Sequence, residues 1–178
     1  MVVLSAIGGG WGALFIVPLY VWRRTRSFAR ALSIVVLTNA VLVWSLKRLF
    51  ARVRPWQSLE GIRVVNPPTD FSFPSGHSAG SFAFLVFVAL VLTRSIGPNT
   101  SPRERLLRRV AAVLAVLLAS LVGLSRIALG VHFPGDVLAG AILGTSTAAV
   151  GARIYLSGLV RTSAEAQRIS GPSSETEE

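Results

Sequence analysis

Three short stretches of this sequence concentrate its reactive side chains: Lys47-x6-Arg54-Pro55, Pro74-Ser75-Gly76-His77 and Ser125-Arg126-x5-His132-x3-Asp136. The chain has one Lys (Lys47) and two His (His77 and His132) among its 178 residues, and all three fall inside these stretches. Cations, imidazoles, a carboxylate and a Ser-Gly turn suit the binding of an anion with proton transfer beside it. Cysteine is absent, so a thiolate nucleophile, disulfides and zinc-thiolate sites are excluded.

Taken singly, each stretch has a plain structural explanation. Lys47, Arg52 and Arg54 could snorkel from a helix end, and Pro74-Ser75-Gly76 could be a turn with an N-cap. His132 and Asp136 could be an i, i+4 pair at a helix start. Together they specify eleven positions at fixed internal spacings, which argues against coincidence.

The elements that must hold these residues are apolar. The chain is 52% hydrophobic and 15% charged, with a mean hydropathy of +0.61, far from a soluble domain of this size. Five uncharged runs stand out, over residues 2–22, 31–46, 78–93, 110–125 and 137–152. Four of them fall short of the roughly 20 residues that a spanning helix needs. Each must therefore borrow flanking residues such as Leu49, Phe50, Leu106, Leu107 and Tyr155. The expectation is an all-α integral membrane bundle of about five transmembrane helices over residues 1–161. A polar tail over 162–178, rich in Ser and Glu, is expected to be disordered and cytoplasmic. The first run lacks a basic segment before it and leads straight into Arg23, Arg24, Arg26 and Arg30, so it is expected to be retained as a helix rather than cleaved.

The formal net charge is +10, but the basic residues cluster between apolar runs instead of lining a polar face, so a nucleic-acid partner is not expected. Twelve of the 18 lie on one side of the expected topology and six on the other. The richer side should be cytoplasmic, which places the three reactive stretches at the outer face of a multi-pass plasma-membrane protein.

These stretches resemble the three-part motif of the type 2 phosphatidic acid phosphatase (PAP2) superfamily, which also contains vanadium haloperoxidases. The resemblance is close from Lys47 to Asp136, and SRIALGVHFPGDVLAG is typical of bacterial members. It implies a lipid phosphatase acting on a phosphate monoester or diphosphate through a phosphohistidine. In that reading His132 is the nucleophile, Asp136 orients it, and His77 is the general acid. Lys47, Arg54, Ser75, Gly76 and Arg126 are implied as phosphate ligands. Membrane members of the family usually have six spanning helices, with the first motif near the end of the third. Two runs precede it here, so the first helix of the six is expected to be missing.

The residue types agree with these roles. A phosphate spreads negative charge over several oxygens and repels nucleophiles, so a site must neutralise it with cations and backbone donors. Lys47, Arg54 and Arg126 are such cations, and Pro74-Ser75-Gly76 leads into a helix whose N-terminus can receive an anion. The outward segments offer only Glu60, Asp70 and Asp136 as acids, too few for a two-metal cage, so neither a metal nor another cofactor is expected. The expected partners are membrane lipids and a lipid phosphate substrate. Undecaprenyl diphosphate ranks first, before phosphatidic acid, phosphatidylglycerol phosphate and a prenyl-phosphoryl sugar phosphate. The alternatives are a vanadate-dependent haloperoxidase-like activity and a non-catalytic membrane protein that retains the site.

Overall fold

The computed structural model describes residues 16–64 and 67–169, with side chains as far as 162. It is all-helical over those residues. Four long helices, α1 (Arg26–Phe50), α2 (Gly76–Arg94), α3 (Pro102–Ala128) and α4 (Pro134–Ile169), are each long and apolar enough to cross a membrane. They correspond to the last four apolar runs, and each has taken in the flanking residues that its run lacked. Leu49 and Phe50 lengthen α1, Leu106 and Leu107 lengthen α3, and Tyr155 lengthens α4. The expected helix over 2–22 lies outside the described residues except at its end, where Val17–Tyr20 forms a short 3-10 turn. Helix α4 continues to Ile169, into the segment read from composition as a polar tail; residues 170–178 lie outside the description.

Local chemistry sets the helix ends. Ser101 caps α3 by accepting from the Glu104 amide, with Pro102 in the first turn. Ser75 caps α2 by accepting from the Ser78 amide. At the end of α1, Ala51 turns left-handed (φ 43°) while its N–H closes on the Lys47 carbonyl. That turn brings Arg52 and Arg54 out of the helix and towards the site, the usual way in which an α-helix is stopped short.

Helix α2 packs against α1, α3 and α4, which is why its sequence shows no polar face. Small residues permit the closest crossing. A Cβ on Gly140 would lie 2.6 Å from the Ser75 carbonyl oxygen, and one on Gly144 would sit inside the contact shell of the Ala79 carbonyl and the Ala83 amide. Deeper in the bundle, Phe28, Phe87 and Tyr155 meet in tilted and edge-on contacts at centroid distances of 5.6–6.2 Å, in one cluster with Leu32, Ala148 and Ala152. The outer faces carry exposed Ile34, Leu37, Val41, Leu117, Leu138 and Ile142, a surface suited to lipid rather than water.

Candidate active site

The three motif stretches meet at one end of the bundle, where α1 ends and α2 and α4 begin. Each polar residue there is positioned by an element terminus. Lys47 lies in the last turn of α1, and its stem passes over the start of α2, since a Cβ on Gly76 would sit 3.9 Å from Lys47 Cε. His77 is the second residue of α2, half-buried on the first turn, where helix amides have no partner within the helix. Arg126 is buried in the last turn of α3. His132 lies in the short α3–α4 connection and Asp136 in the first turn of α4.

Arg54 is the hub. It is 3% exposed, and its guanidinium donates to the carbonyls of Asp70 (2.8 Å), Phe71 (3.3 Å) and Val131 (2.7 Å). It also reaches the Asp70 carboxylate at 2.5 Å and His132 Nε2 at 3.2 Å. A guanidinium can only donate, so Nε2 carries the lone pair and the neutral ring keeps its proton on Nδ1. Burial, reinforced by the charges of Arg54 and Lys47, lowers the His132 pKa to about 3. The imidazole is therefore neutral with its lone pair facing the cations, the state that a nucleophile needs.

Asp136 is fully buried and has more partners than the motif implies. Its Oδ1 accepts from Arg52 Nη1 at 2.8 Å, and its Oδ2 accepts from Ser72 Oγ at 2.5 Å and from the Phe133 amide at 3.0 Å. The approach of Oδ2 to His132 Nδ1 is 3.7 Å, and Ser72 Oγ lies 3.5 Å from the same nitrogen. The link from carboxylate to imidazole thus runs partly through Ser72, a residue outside the three motif stretches. Arg52 also lies over the Phe133 ring at 4.2 Å, so this cation is engaged on two sides rather than snorkelling.

The remaining motif residues are placed as follows. The Ser75 side chain is buried; its amide donates to the Asp136 carbonyl at 3.0 Å and its oxygen caps α2, which leaves its hydroxyl hydrogen for a further acceptor. Arg126 directs Nε and Nη2 at Ser125 Oγ, at 3.1 and 3.0 Å. The Ser125 hydroxyl itself donates to the Val122 carbonyl at 2.6 Å and so fixes where the Arg126 fork sits. Lys47 bonds the Phe71 carbonyl and pairs with Asp70 at 3.0 Å. In the sequence, Asp70 counts only among the outward acids, and Ser72 is not singled out. The available signal was a pair of polar residues just ahead of Phe73-Pro74-Ser75-Gly76-His77, in a segment poor in acids.

Among the described residues, no three His, Cys, Asp or Glu side chains converge as a metal cage would require. What converges is positive charge: Lys47 and Arg54 meet at one carboxylate, beside an imidazole lone pair.

The sequence model of the PAP2 superfamily matches residues 27–157. An undecaprenyl-diphosphatase of Sulfolobus acidocaldarius is 30% identical over 80% of this chain and 63% of its own length. The phosphatidylglycerophosphatase B of Bacillus subtilis is 37% identical over 60% of this chain and 48% of its own. The chain thus spans from about half to somewhat under two thirds of these curated relatives. The crystal structure of a transmembrane PAP2-type phosphatidylglycerolphosphate phosphatase from Bacillus subtilis superposes with a TM-score of 0.68 at 27% identity, covering 83% of this chain and 71% of that one.

Proposed function

The chain belongs to the PAP2 superfamily, and from that premise we propose that it is a membrane lipid phosphatase that removes the terminal phosphate of a lipid phosphate monoester or diphosphate. The observation that carries this reading is the neutral His132, its Nε2 lone pair turned toward Arg54 within a cluster of buried cations. A phosphate drawn in by those cations would meet that lone pair.

The reaction has two displacements. His132 Nε2 attacks phosphorus, the N–P bond forms, and the bond to the lipid oxygen breaks, with His77 giving that oxygen its proton. The Nδ1 proton stays on the phosphorylated ring, whose new positive charge faces Ser72 and the Asp136 carboxylate. Neutral His77 then takes a proton from water, whose oxygen attacks phosphorus and frees inorganic phosphate while His132 recovers its lone pair. Lys47, Arg54, Arg126 and the first-turn amides of α2 neutralise the equatorial oxygens throughout, the task that metal ions perform in other phosphatases.

The motif-bearing ends belong to the side with fewer basic residues, which supports an extracytoplasmic site in the plasma membrane. That orientation favours undecaprenyl diphosphate as substrate, the lipid named for the Sulfolobus relative; phosphatidylglycerol phosphate follows from the Bacillus one. The deciding assay is phosphate release by the purified chain from a panel of lipid phosphates and diphosphates, with and without exhaustive chelation. Release that survives chelation supports the reading. Release from none of the panel, or a complete loss reversed by magnesium, would count against it. A cysteine placed at Gln57 tests orientation, because labelling by an impermeant thiol reagent only after lysis would invert the topology.

A further inference from the structure

Between Lys47 and Arg54 sits an anion that belongs to the protein. Asp70 Oδ2 is 3.0 Å from Lys47 Nζ, and Asp70 Oδ1 is 2.5 Å from Arg54 Nη2, so the carboxylate bridges the two cations through separate oxygens. Two oxygens of a phosphate would bridge them in the same way. We infer that Asp70 is an intramolecular competitor: its carboxylate holds the Lys47–Arg54 pair between turnovers and must leave it for a phosphate to bind. This inference rests on the reading of the site as phosphate-binding.

The asymmetry of the three side chains says which partner moves. The Lys47 and Arg54 side chains are 12% and 3% exposed, and Arg54 is tied to three carbonyls. The Asp70 side chain is 57% exposed and can swing into water without breaking the core. A buried guanidinium without a counter-ion is strongly destabilising, which explains why the resting site keeps one. Burial raises the Asp70 pKa, but Lys47 and Arg54 more than offset this and hold the carboxyl below its ordinary range, so it is ionised at neutral pH.

The functional consequence is a threshold. Every anion that enters bears the same penalty, set by the fraction of time for which the pair is open. A terminal phosphate, with nearly two charges at neutral pH, gains more from two cations than the single charge of a carboxylate does. A phosphodiester head group has one charge and gains little over Asp70. The bulk phospholipids around the site are diesters in large excess, and the threshold keeps them from filling it. Asp70 thereby sets how strongly any anion must be held to occupy the site, leaving their ranking unchanged, and its return favours release of the inorganic phosphate formed.

The test compares the wild type, Asp70→Asn and Arg54→Gln in mixed micelles. It measures the competitive inhibition constants of inorganic phosphate and of phosphatidylglycerol, a diester, against hydrolysis of a lipid phosphate. If the pair is closed for nine tenths of the time, Asp70→Asn lowers both constants about tenfold. Constants that are unchanged, or raised because Asp70 merely positions the cations, would overturn the inference. The difference infrared spectrum of the unmodified protein does not depend on a variant folding. Adding inorganic phosphate should convert a cation-paired carboxylate band into a solvated one, and a spectrum without that change also overturns the proposal. Failure of the underlying site looks different: phosphate would not inhibit the wild type, and Arg54→Gln would not alter that result.

Discussion

Asp136 and His132, one helical turn apart in sequence, approach no closer than 3.7 Å, because Ser72 Oγ holds Asp136 Oδ2 at 2.5 Å and lies against the same ring nitrogen. The carboxylate therefore acts on the imidazole through space and through a hydroxyl, while Arg52 and the Phe133 amide fix its position.

That arrangement makes Ser72 a positioning residue. Ser72→Ala should lower kcat by about ten- to a hundredfold, the scale of a hydrogen bond to a charged group, with KM little changed because Ser72 bears no phosphate-binding charge. Combining it with Asp136→Asn should cost less than the product of the single effects, since both act through one network. Strictly multiplicative losses would separate Ser72 from the Asp136–His132 link, and a raised KM with normal kcat would place it in substrate binding instead.

The pH dependence has a definite sign. Burial together with the charges of Arg54 and Lys47 holds His132 near 3, well under the ordinary value of 6.5, so the imidazole proposed as nucleophile stays neutral through the mildly acidic range. With an aryl phosphate, the acid limb of kcat/KM should then come from groups other than His132. Arg54→Gln removes one of the charges that depress it, so a new acid limb should appear at higher pH on top of the loss of rate. The linkage to stability follows the same direction. Between about 3 and 6.5 the unfolded imidazole binds a proton that the folded one does not, so thermal stability should decline as pH falls through that window. An Arg54→Gln profile that keeps the wild-type shape would show that Arg54 does not set the protonation of His132.

How much of this was legible in the sequence differs between fold and site. The four long helices were readable because uncharged runs and the Arg clusters between them point the same way. The end of α4 was not, because the helix runs on past its apolar stretch with exposed side chains over residues 157–162, where no apolar period marks it. At the site, the motif spacing singled out Lys47, Arg54, His132 and Asp136, which the fold links through Asp70 and through direct approaches. It could not identify Asp70 and Ser72, whose parts depend on the path of the chain between α1 and α2 and not on any periodicity. The Asp70 and Phe71 carbonyls and the Ser72 amide bind Arg54, Lys47 and the Arg52 carbonyl, and this network presses that path onto the cations. Ser75 shows the converse: the plain N-cap explanation and the ligand role implied by the family fall on one residue, because its oxygen accepts within the helix while its hydrogen is left for an acceptor.

Stability should hinge on the α2–α4 crossing. A Cβ on Gly144 would enter the contact shell of backbone atoms of Ala79 and Ala83, which cannot move aside as the end of a side chain could. Gly144→Ala should therefore push α2 and α4 apart and cost on the order of 1–3 kcal/mol, as overpacking does, with larger residues preventing assembly. Gly158→Ala is the control: nothing lies within 4 Å of a Cβ there, and the change should be neutral or stabilising by up to about 1 kcal/mol through helix propensity. Thermal unfolding of both in detergent tests the pair. Equal melting temperatures would mean that the crossing tolerates a methyl group.

The chemical assignment can be read from covalent phosphate, because no third imidazole exists to substitute for either histidine. If His132 attacks phosphorus, His132→Ala forms no phosphoenzyme with any substrate. In the same proposal His77 has a different task, and the effect of its loss should depend on the leaving group. A lipid alkoxide leaves poorly and needs the proton, whereas an activated phenolate does not. His77→Ala given an aryl phosphate should still be phosphorylated, and label should accumulate because the same imidazole is needed to activate water in the second step. A quenched single-turnover experiment should find acid-labile, base-stable label on His132. Label trapped by the His132 variant and not by the His77 variant would exchange the two roles. Complete absence of covalent phosphate from wild type and variants alike would favour direct attack by water, with His132 as its base.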